Sequence, residues 1–168
     1  SKYKIPVYSL YGSSFESLSP TNEMLKNIDI LVCDLQDVGS RYYTYVWTLV
    51  LCIKVCARLG IKVIVCDRPN PIGGDVFEGS GIRKGFESFV GLYSLPNRHG
   101  MTIGEIANFI NEKYKIGANL EIIKMQGWKR TMFWGDTGLV WIKPSPNMIN
   151  ETTAVLYAGM CLLEGTNI

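Results

Sequence analysis

Two acidic signatures supply most of the side chains in this sequence that could do chemistry. One is Asp34-Leu35-Gln36-Asp37-Val38-Gly39-Ser40-Arg41 and the other is Asp67-Arg68-Pro69-Asn70-Pro71. Each begins where an apolar run ends, Ile28–Cys33 in the first case and Ile61–Cys66 in the second. If both runs are strands of an open parallel sheet, both polar clusters fall at its carboxyl edge, where α/β proteins bind ligands. Carboxylates, amides and guanidinium groups held together there suit a polyhydroxylated or anionic ligand.

Each candidate also has an ordinary structural explanation. Asp34 and Asp67 can cap loops by accepting backbone N–H bonds. Asp37 is favourably charged near the start of the helix expected after it. Arg41 is expected in the first turn of that helix, where the macrodipole disfavours a cation, so it needs a partner. That partner is Asp37, Asp67 or a ligand carboxylate gripped by the guanidinium fork. The two prolines of Arg68-Pro69-Asn70-Pro71 stiffen the turn and hold Arg68 and Asn70 in place. His99, the single histidine, suits a general base, a proton donor or a hydrogen-bonded structural group. Glu78 lies in a glycine-rich excursion, where a solvated carboxylate is the default. Glu164 follows an apolar run, a less ordinary place for a charge. Asp34 and Asp37 are three apart with no third oxygen ligand, so no metal site is assigned.

The positioning elements follow from periodicity. Val7–Tyr11 reads as a strand, and Ser19-Pro20 as the cap and first position of a short helix through Lys26. Ile28–Cys33 is a buried-strand run. Ser40–Leu59 reads as a long, nearly all-apolar helix closed by Gly60 in a left-handed cap. Val63–Cys66 is the next strand, completing a β-α-β-α-β pattern typical of a parallel sheet. Residues 68–98 form a long irregular excursion with short strands around Val76 and Phe89-Val90, and irregular segments of this length are often functional. Thr102 to Glu105 is a capping box opening a helix to Tyr114. Leu120–Ile123 is a strand, and Asn150 caps a helix over Glu151–Leu163.

Composition narrows the function classes. The 168 residues are 47% hydrophobic, enough for one core. The net charge is only +2, and residues 1–84 carry 10 basic and 8 acidic side chains against 7 and 7 in residues 85–168. With no basic face or tail, nucleic-acid binding has no support. Cys33, Cys52, Cys56, Cys66 and Cys161 lack a C-x-x-C spacing and read as buried hydrophobes. The most apolar stretch, Tyr42 to Ile53, is too short to span a bilayer. Nucleotide-binding glycine motifs and the serine-hydrolase elbow are absent, and no cofactor is assigned.

Taken together, the motifs resemble the NamZ- or YbbC-like exo-β-N-acetylmuramidases, long known only as a domain of unknown function. The resemblance runs through Asp34 to Tyr45, Asp67 to Pro71, Ser88-Phe89-Val90-Gly91, His99 to Glu105, Pro144-Ser145-Pro146-Asn147-Met148 and Glu164-Gly165-Thr166-Asn167. It implies a bacterial glycosidase of cell-wall recycling that removes terminal β-1,4-linked N-acetylmuramic acid from peptidoglycan fragments. The implied fold is a Rossmann-like three-layer α/β domain with a mostly parallel sheet. On that basis residues 1–168 are most of one domain, truncated at both ends, without the family's smaller second domain. Members usually carry a Pro-Glu-His-Gly motif whose Glu is a candidate catalytic acid or nucleophile, and this sequence contains none. Val140 stands where proline is expected.

Under this resemblance, the expected catalytic set is Asp34, Asp37, Asp67, His99 and Glu164. The expected substrate-binding set is Gln36, Arg41, Tyr43, Arg68, Asn70, Glu78 and Asn147. Arg41 or Arg68 would pair with the lactyl carboxylate that distinguishes muramic acid from glucosamine. The expected partner is a muramyl saccharide, and the expected location is the cell envelope or beyond it, or the cytoplasm where no export signal precedes residue 1. Two other classes fit the same residues: a non-catalytic sugar- or peptidoglycan-binding module, and an α/β hydrolase or transferase with an acidic metal site.

Overall fold

A computed structural model describes residues 5–12 and 14–166. Three parallel strands, β1 (Ile30–Cys33), β2 (Lys62–Cys66) and β3 (Leu120–Ile123), form a sheet in the order β1-β2-β3. Four α-helices accompany it among the described residues: α1 (Asn22–Leu25), α2 (Tyr45–Leu59), α3 (Ile103–Lys113) and α4 (Glu151–Met160). The parallel α/β pattern expected from the apolar runs is therefore present.

Strand register decides which side chains meet. Leu31 pairs with Val63 and Val63 with Leu120, while Cys33 pairs with Val65 and Val65 with Ile122. All six lie on one face, because side chains alternate along a strand. They pack on Leu49, Ile53 and Cys56 of α2 and on Ile103 and Ala107 of α3. The opposite face leaves Ile30, Val32 and Ile123 about half exposed, with Lys62 paired to Glu121 at 2.6 Å. A second cluster joins Val46, Trp47 and Val50 of α2 to Leu95, Ile106 and Ile110. A third seats Ala154 of α4 on Val38, Tyr43, Ile72 and Met148.

Helix ends follow the expected capping chemistry in three places. The Thr102 hydroxyl accepts the Glu105 N–H at 3.2 Å, and Glu105 returns a bond to the Thr102 N–H at 2.9 Å, completing the capping box. Gly60 closes α2 at φ 71°. Asn150 caps α4 by accepting the Thr153 N–H at 3.0 Å.

Four expectations change. Val7–Tyr11 forms no strand; Val7 is exposed, and the segment is held instead by Tyr11, whose hydroxyl bonds Thr48 at 2.9 Å. β-propensity alone forms no ladder without a neighbouring strand. The first helix begins after Thr21, which caps it by accepting the Met24 N–H, so Pro20 lies outside it. The long helix starts at Tyr45, not Ser40, because residues 40–41 bond elsewhere: Ser40 bridges Arg98, and the Arg41 N–H donates to the Asn97 carbonyl at 2.9 Å. Arg41 thus lies outside the first helical turn. The last helix stops at Met160 and tightens into a 3-10 turn over Cys161–Gly165. Within the excursion, the expected short strands reduce to isolated antiparallel bridges, Glu78 to Arg98 and Ser88 to Gly91.

Gly104 permits the closest approach between α3 and the sheet. A Cβ there would lie 2.7 Å from Ile122 Cγ2 and 2.9 Å from Asp67 Oδ1. Gly104→Ala is expected to destabilise the fold by about 1–3 kcal/mol through overpacking, measured as a lower urea midpoint; an unchanged midpoint would refute this close packing.

Candidate active site at the sheet edge

Asp67 stands at the end of β2, half-buried. Its Oδ1 accepts N–H bonds from Gly104 at 2.8 Å and Arg68 at 3.1 Å, and its Oδ2 accepts the Thr102 hydroxyl at 2.8 Å. Burial pushes its carboxyl above the usual carboxylate range against these donors. Both oxygens are engaged, so Asp67 anchors the start of α3 to the end of β2.

Asp37 and His99 make a second tie, deeper in the protein. His99 Nε2 lies 3.1 Å from Asp37 Oδ2, and both side chains are buried. The Met101 N–H donates to His99 Nδ1 at 3.2 Å, which places the ring hydrogen on Nε2, facing Asp37. Asp37 Oδ2 also accepts the Gly39 N–H at 2.8 Å, while Oδ1 is buried without a partner among the described residues.

Gln36 and Asn70 complete this buried layer. Asn70 Nδ2 donates to the Met101 carbonyl at 2.9 Å and its Oδ1 accepts the Ile72 N–H at 3.1 Å. Gln36 Nε2 donates to the carbonyls of Asp37 and Pro69 at 2.7 and 3.0 Å. Gly39 has φ 83°, and a Cβ there would collide with Asn70 and Ile72, so the loop after β1 needs glycine on two counts.

Asp34 and Arg68 face outward. Arg68 grips Asp34 through a bidentate fork, Nε to Oδ1 at 2.5 Å and Nη2 to Oδ2 at 2.9 Å. The fork holds the Asp34 carboxyl below its ordinary value. Both residues line a cleft of about 530 Å³ with Asp67, Pro69, Gln126 and Trp128. Its size suits a small polar ligand. Trp128, one of three tryptophans that could stack on a sugar, lines this cleft, whereas Trp134 and Trp141 pack edge to face with centroids 5.1 Å apart.

Arg41 has a different environment. It is 8% exposed and has no carboxylate within 4 Å among the described residues. Nη1 donates to the carbonyls of Ser80 and Leu95 at 2.8 and 2.6 Å, and Nη2 to the Tyr42 hydroxyl at 3.2 Å. Nε is buried without a partner among the described residues. Burying a cation among neutral acceptors alone is costly, which makes this spot attractive to an anion.

The remaining candidates lie around α4. The Tyr43 ring packs on Tyr45 and Tyr157, its hydroxyl lies buried near Ser145, and burial raises its pKa. Asn147 and Glu164 are exposed, and Asn167 lies outside the described residues. Glu78 pairs with Arg98 at 2.8 Å. The structure thus brings Asp34, Asp67 and Arg68 to one cleft and Gln36, Asp37, Asn70 and His99 to the layer beneath it. Tyr43 and Glu164 stand on the α4 side. Burial raises the Cys33 and Cys52 thiols to about 12, so they serve as protonated core side chains. Among the described residues no group of three His, Cys, Asp or Glu side chains is placed to hold a metal ion. No helix among them is long and apolar enough to cross a membrane.

Sequence reasoning missed Arg98 as a site residue. It bridges both Ser40 and Glu78 through its backbone and reaches the Ile72 carbonyl with Nη2 at 2.5 Å. Its position next to His99 was the available signal. Five of the seven buried side-chain atoms without partners belong to residues 36–43, and Arg98 Nε and Trp128 Nε1 are the other two. Unsatisfied buried groups concentrated in one loop mark a place built for a ligand or a further chain segment.

A parallel α/β domain with carboxylates, amides and guanidinium groups along its carboxyl edge belongs to the class of polar-ligand-binding α/β domains. The family model described as "Exo-beta-N-acetylmuramidase NamZ, N-terminal" matches residues 1–152, and the chain belongs to that family. It is 48% identical over 167 residues, 99% of its length, to the "Peptidoglycan beta-N-acetylmuramidase NamZ" of Bacillus subtilis (strain 168). Two crystal structures of DUF1343 family proteins from Bacteroides fragilis share the fold. One has a TM-score of 0.90 at 42% identity over 95% of this chain, the other 0.80 at 34% over 88%. The chain spans about two-fifths of each relative's length, 40% of the Bacillus protein and 41% of each Bacteroides chain.

Asp34 contributes stability that is present above the unfolded carboxylate range and lost as pH falls through its lowered folded value. Arg68→Met is expected to return the Asp34 carboxyl to its ordinary range in an NMR pH titration; an unmoved titration would show that Arg68 is not the cause. His99→Ala is expected to cost about 1–3 kcal/mol by removing a donor from a buried carboxylate, read by chemical denaturation.

Proposed function

We propose that the polypeptide containing these residues is an exo-acting glycosidase. It would release β-1,4-linked N-acetylmuramic acid from the non-reducing end of peptidoglycan fragments, with a muramyl saccharide as its substrate. The observation that carries this reading is the 48% identity, over 99% of the chain, to a peptidoglycan beta-N-acetylmuramidase.

Glycoside hydrolysis needs one carboxyl group to protonate the leaving oxygen and a second to act as base or nucleophile. Asp34 suits the second role: it is exposed, lines the cleft, and is kept ionised by Arg68. Asp67 and Asp37 suit positioning, since hydrogen bonds tie them to α3 and to His99. Glu78 and Glu164 remain exposed carboxylates on the α4 side. The proton donor is assigned to the Glu of the family's Pro-Glu-His-Gly motif, outside these 168 residues.

Arg41 is the better partner for the lactyl carboxylate, because the Arg68 fork is already filled by Asp34. Arg41→Ala in the intact polypeptide is expected to lower kcat/KM on muramyl substrates about 10–100-fold, the loss of one charge-assisted contact. Glucosaminides should be little affected; equal loss on both overturns the assignment.

A saccharide-binding module without catalysis is the second reading, favoured by the hydrogen-bonded state of Asp37 and Asp67. Incubating the intact polypeptide with a terminal muramyl-glucosamine disaccharide, with and without chelator, separates the readings. Chelator-insensitive release of N-acetylmuramic acid supports the glycosidase. Binding without release supports the module, and chelator-sensitive release supports a metal-dependent enzyme.

A further inference from the structure

A second pocket, of about 390 Å³, shares no lining residue with the cleft at Asp34 and Arg68. Three segments build it: the Glu78–Arg98 bridge, the turn at Phe133, and one side of α4. One wall is apolar, from Ile72, Phe133, Val155 and Ala158. The other is polar, from Glu78, Asn97 and Arg98.

The polar wall is held rigid while keeping free hydrogen-bonding capacity. Arg98 donates to Glu78 Oε2 at 2.8 Å and to the Ile72 carbonyl, and its guanidinium lies 6.0 Å from the centre of the Phe133 ring. Its Nε is buried without a partner among the described residues. The second Glu78 oxygen makes no hydrogen bond, and neither does the Asn97 side-chain amide, among the described residues. Gly159 lines the α4 side, and a Cβ there would meet nothing within 4 Å. The helix therefore presents no side chain where the pocket opens.

Resting on the muramidase reading, we propose that this pocket is a subsite for one uncharged N-acetylhexosamine ring, the sugar on the leaving-group side of the scissile bond. The hydroxyl edge would meet Asn97, Arg98 and Glu78. The acetamido methyl and the C–H face would meet Phe133, Val155 and Ala158. The volume lies within the usual range for small-ligand sites, and such sites combine apolar walls with a few placed polar groups. Charge selects the neutral sugar: Glu78 already neutralises Arg98, and its exposed carboxylate repels a lactyl group.

The test titrates N-acetylglucosamine and N-acetylmuramic acid into the 168-residue chain, observed by amide NMR, with Gly159→Leu and Asn97→Ala as variants. Leucine is a better helix former than glycine, so Gly159→Leu keeps α4 while filling the pocket. Expected are shifts at residues 78, 97, 98 and 159 with N-acetylglucosamine, smaller shifts with N-acetylmuramic acid, and about tenfold weaker binding in both variants. Absence of N-acetylglucosamine binding, unweakened binding in Gly159→Leu, or shifts centred on Asp34 and Arg68 would each overturn the subsite. Release of N-acetylmuramic acid by the intact polypeptide scores the muramidase reading separately, so the subsite can fail while that reading stands.

Discussion

The carboxylate of Asp67 accepts three hydrogen bonds from two elements that the chain places 35 residues apart, and the carboxyl edge is organised around it. The first turn of α3 has N–H groups without intrahelical partners, and an anion at that end is favourable. Thr102 carries the tie onward, because its hydroxyl donates to Asp67 and accepts from the Glu105 N–H. Glu105 pairs with Arg130 at 2.7 Å, and Arg130 reaches the carbonyls of Gly74 and Gly100. One carboxylate thus connects the sheet, a helix start and the irregular segments beside them.

The Asp37–His99 contact repeats this logic one layer deeper. It joins the loop after β1 to the segment entering α3, and Asn70 crosses the same gap to the Met101 carbonyl. The excursion over residues 68–98 has almost no regular structure, yet side chains fix its ends. Irregular backbone of this kind can shape a binding surface that a regular ladder would flatten.

Charge is distributed unevenly along this edge. Arg68, Arg98 and Arg130 each face a carboxylate, whereas Arg41 is buried among carbonyls and a tyrosine hydroxyl. Paired arginines hold neighbours in place and add little net field. An unpaired one leaves a positive spot with little water to screen it. Two sugars that differ by a lactyl carboxylate are distinguished by such a difference.

Local chemistry was legible in the sequence. The apolar runs ending in Asp34 and Asp67, the Thr102 capping box, Gly60 and Asn150 all depend on residues within a few positions of one another. So does the placement of both polar clusters at one sheet edge, because strand ends in a parallel sheet point the same way. Tertiary structure decided the partners. Arg68 took Asp34, Ser40 bridged Arg98 instead of starting a helix, Val7–Tyr11 stayed out of the sheet, and Arg41 was left without a carboxylate. Periodicity and capping report what a segment favours by itself. Which of several arginines meets which carboxylate depends on distances across the fold, between residues far apart in the chain.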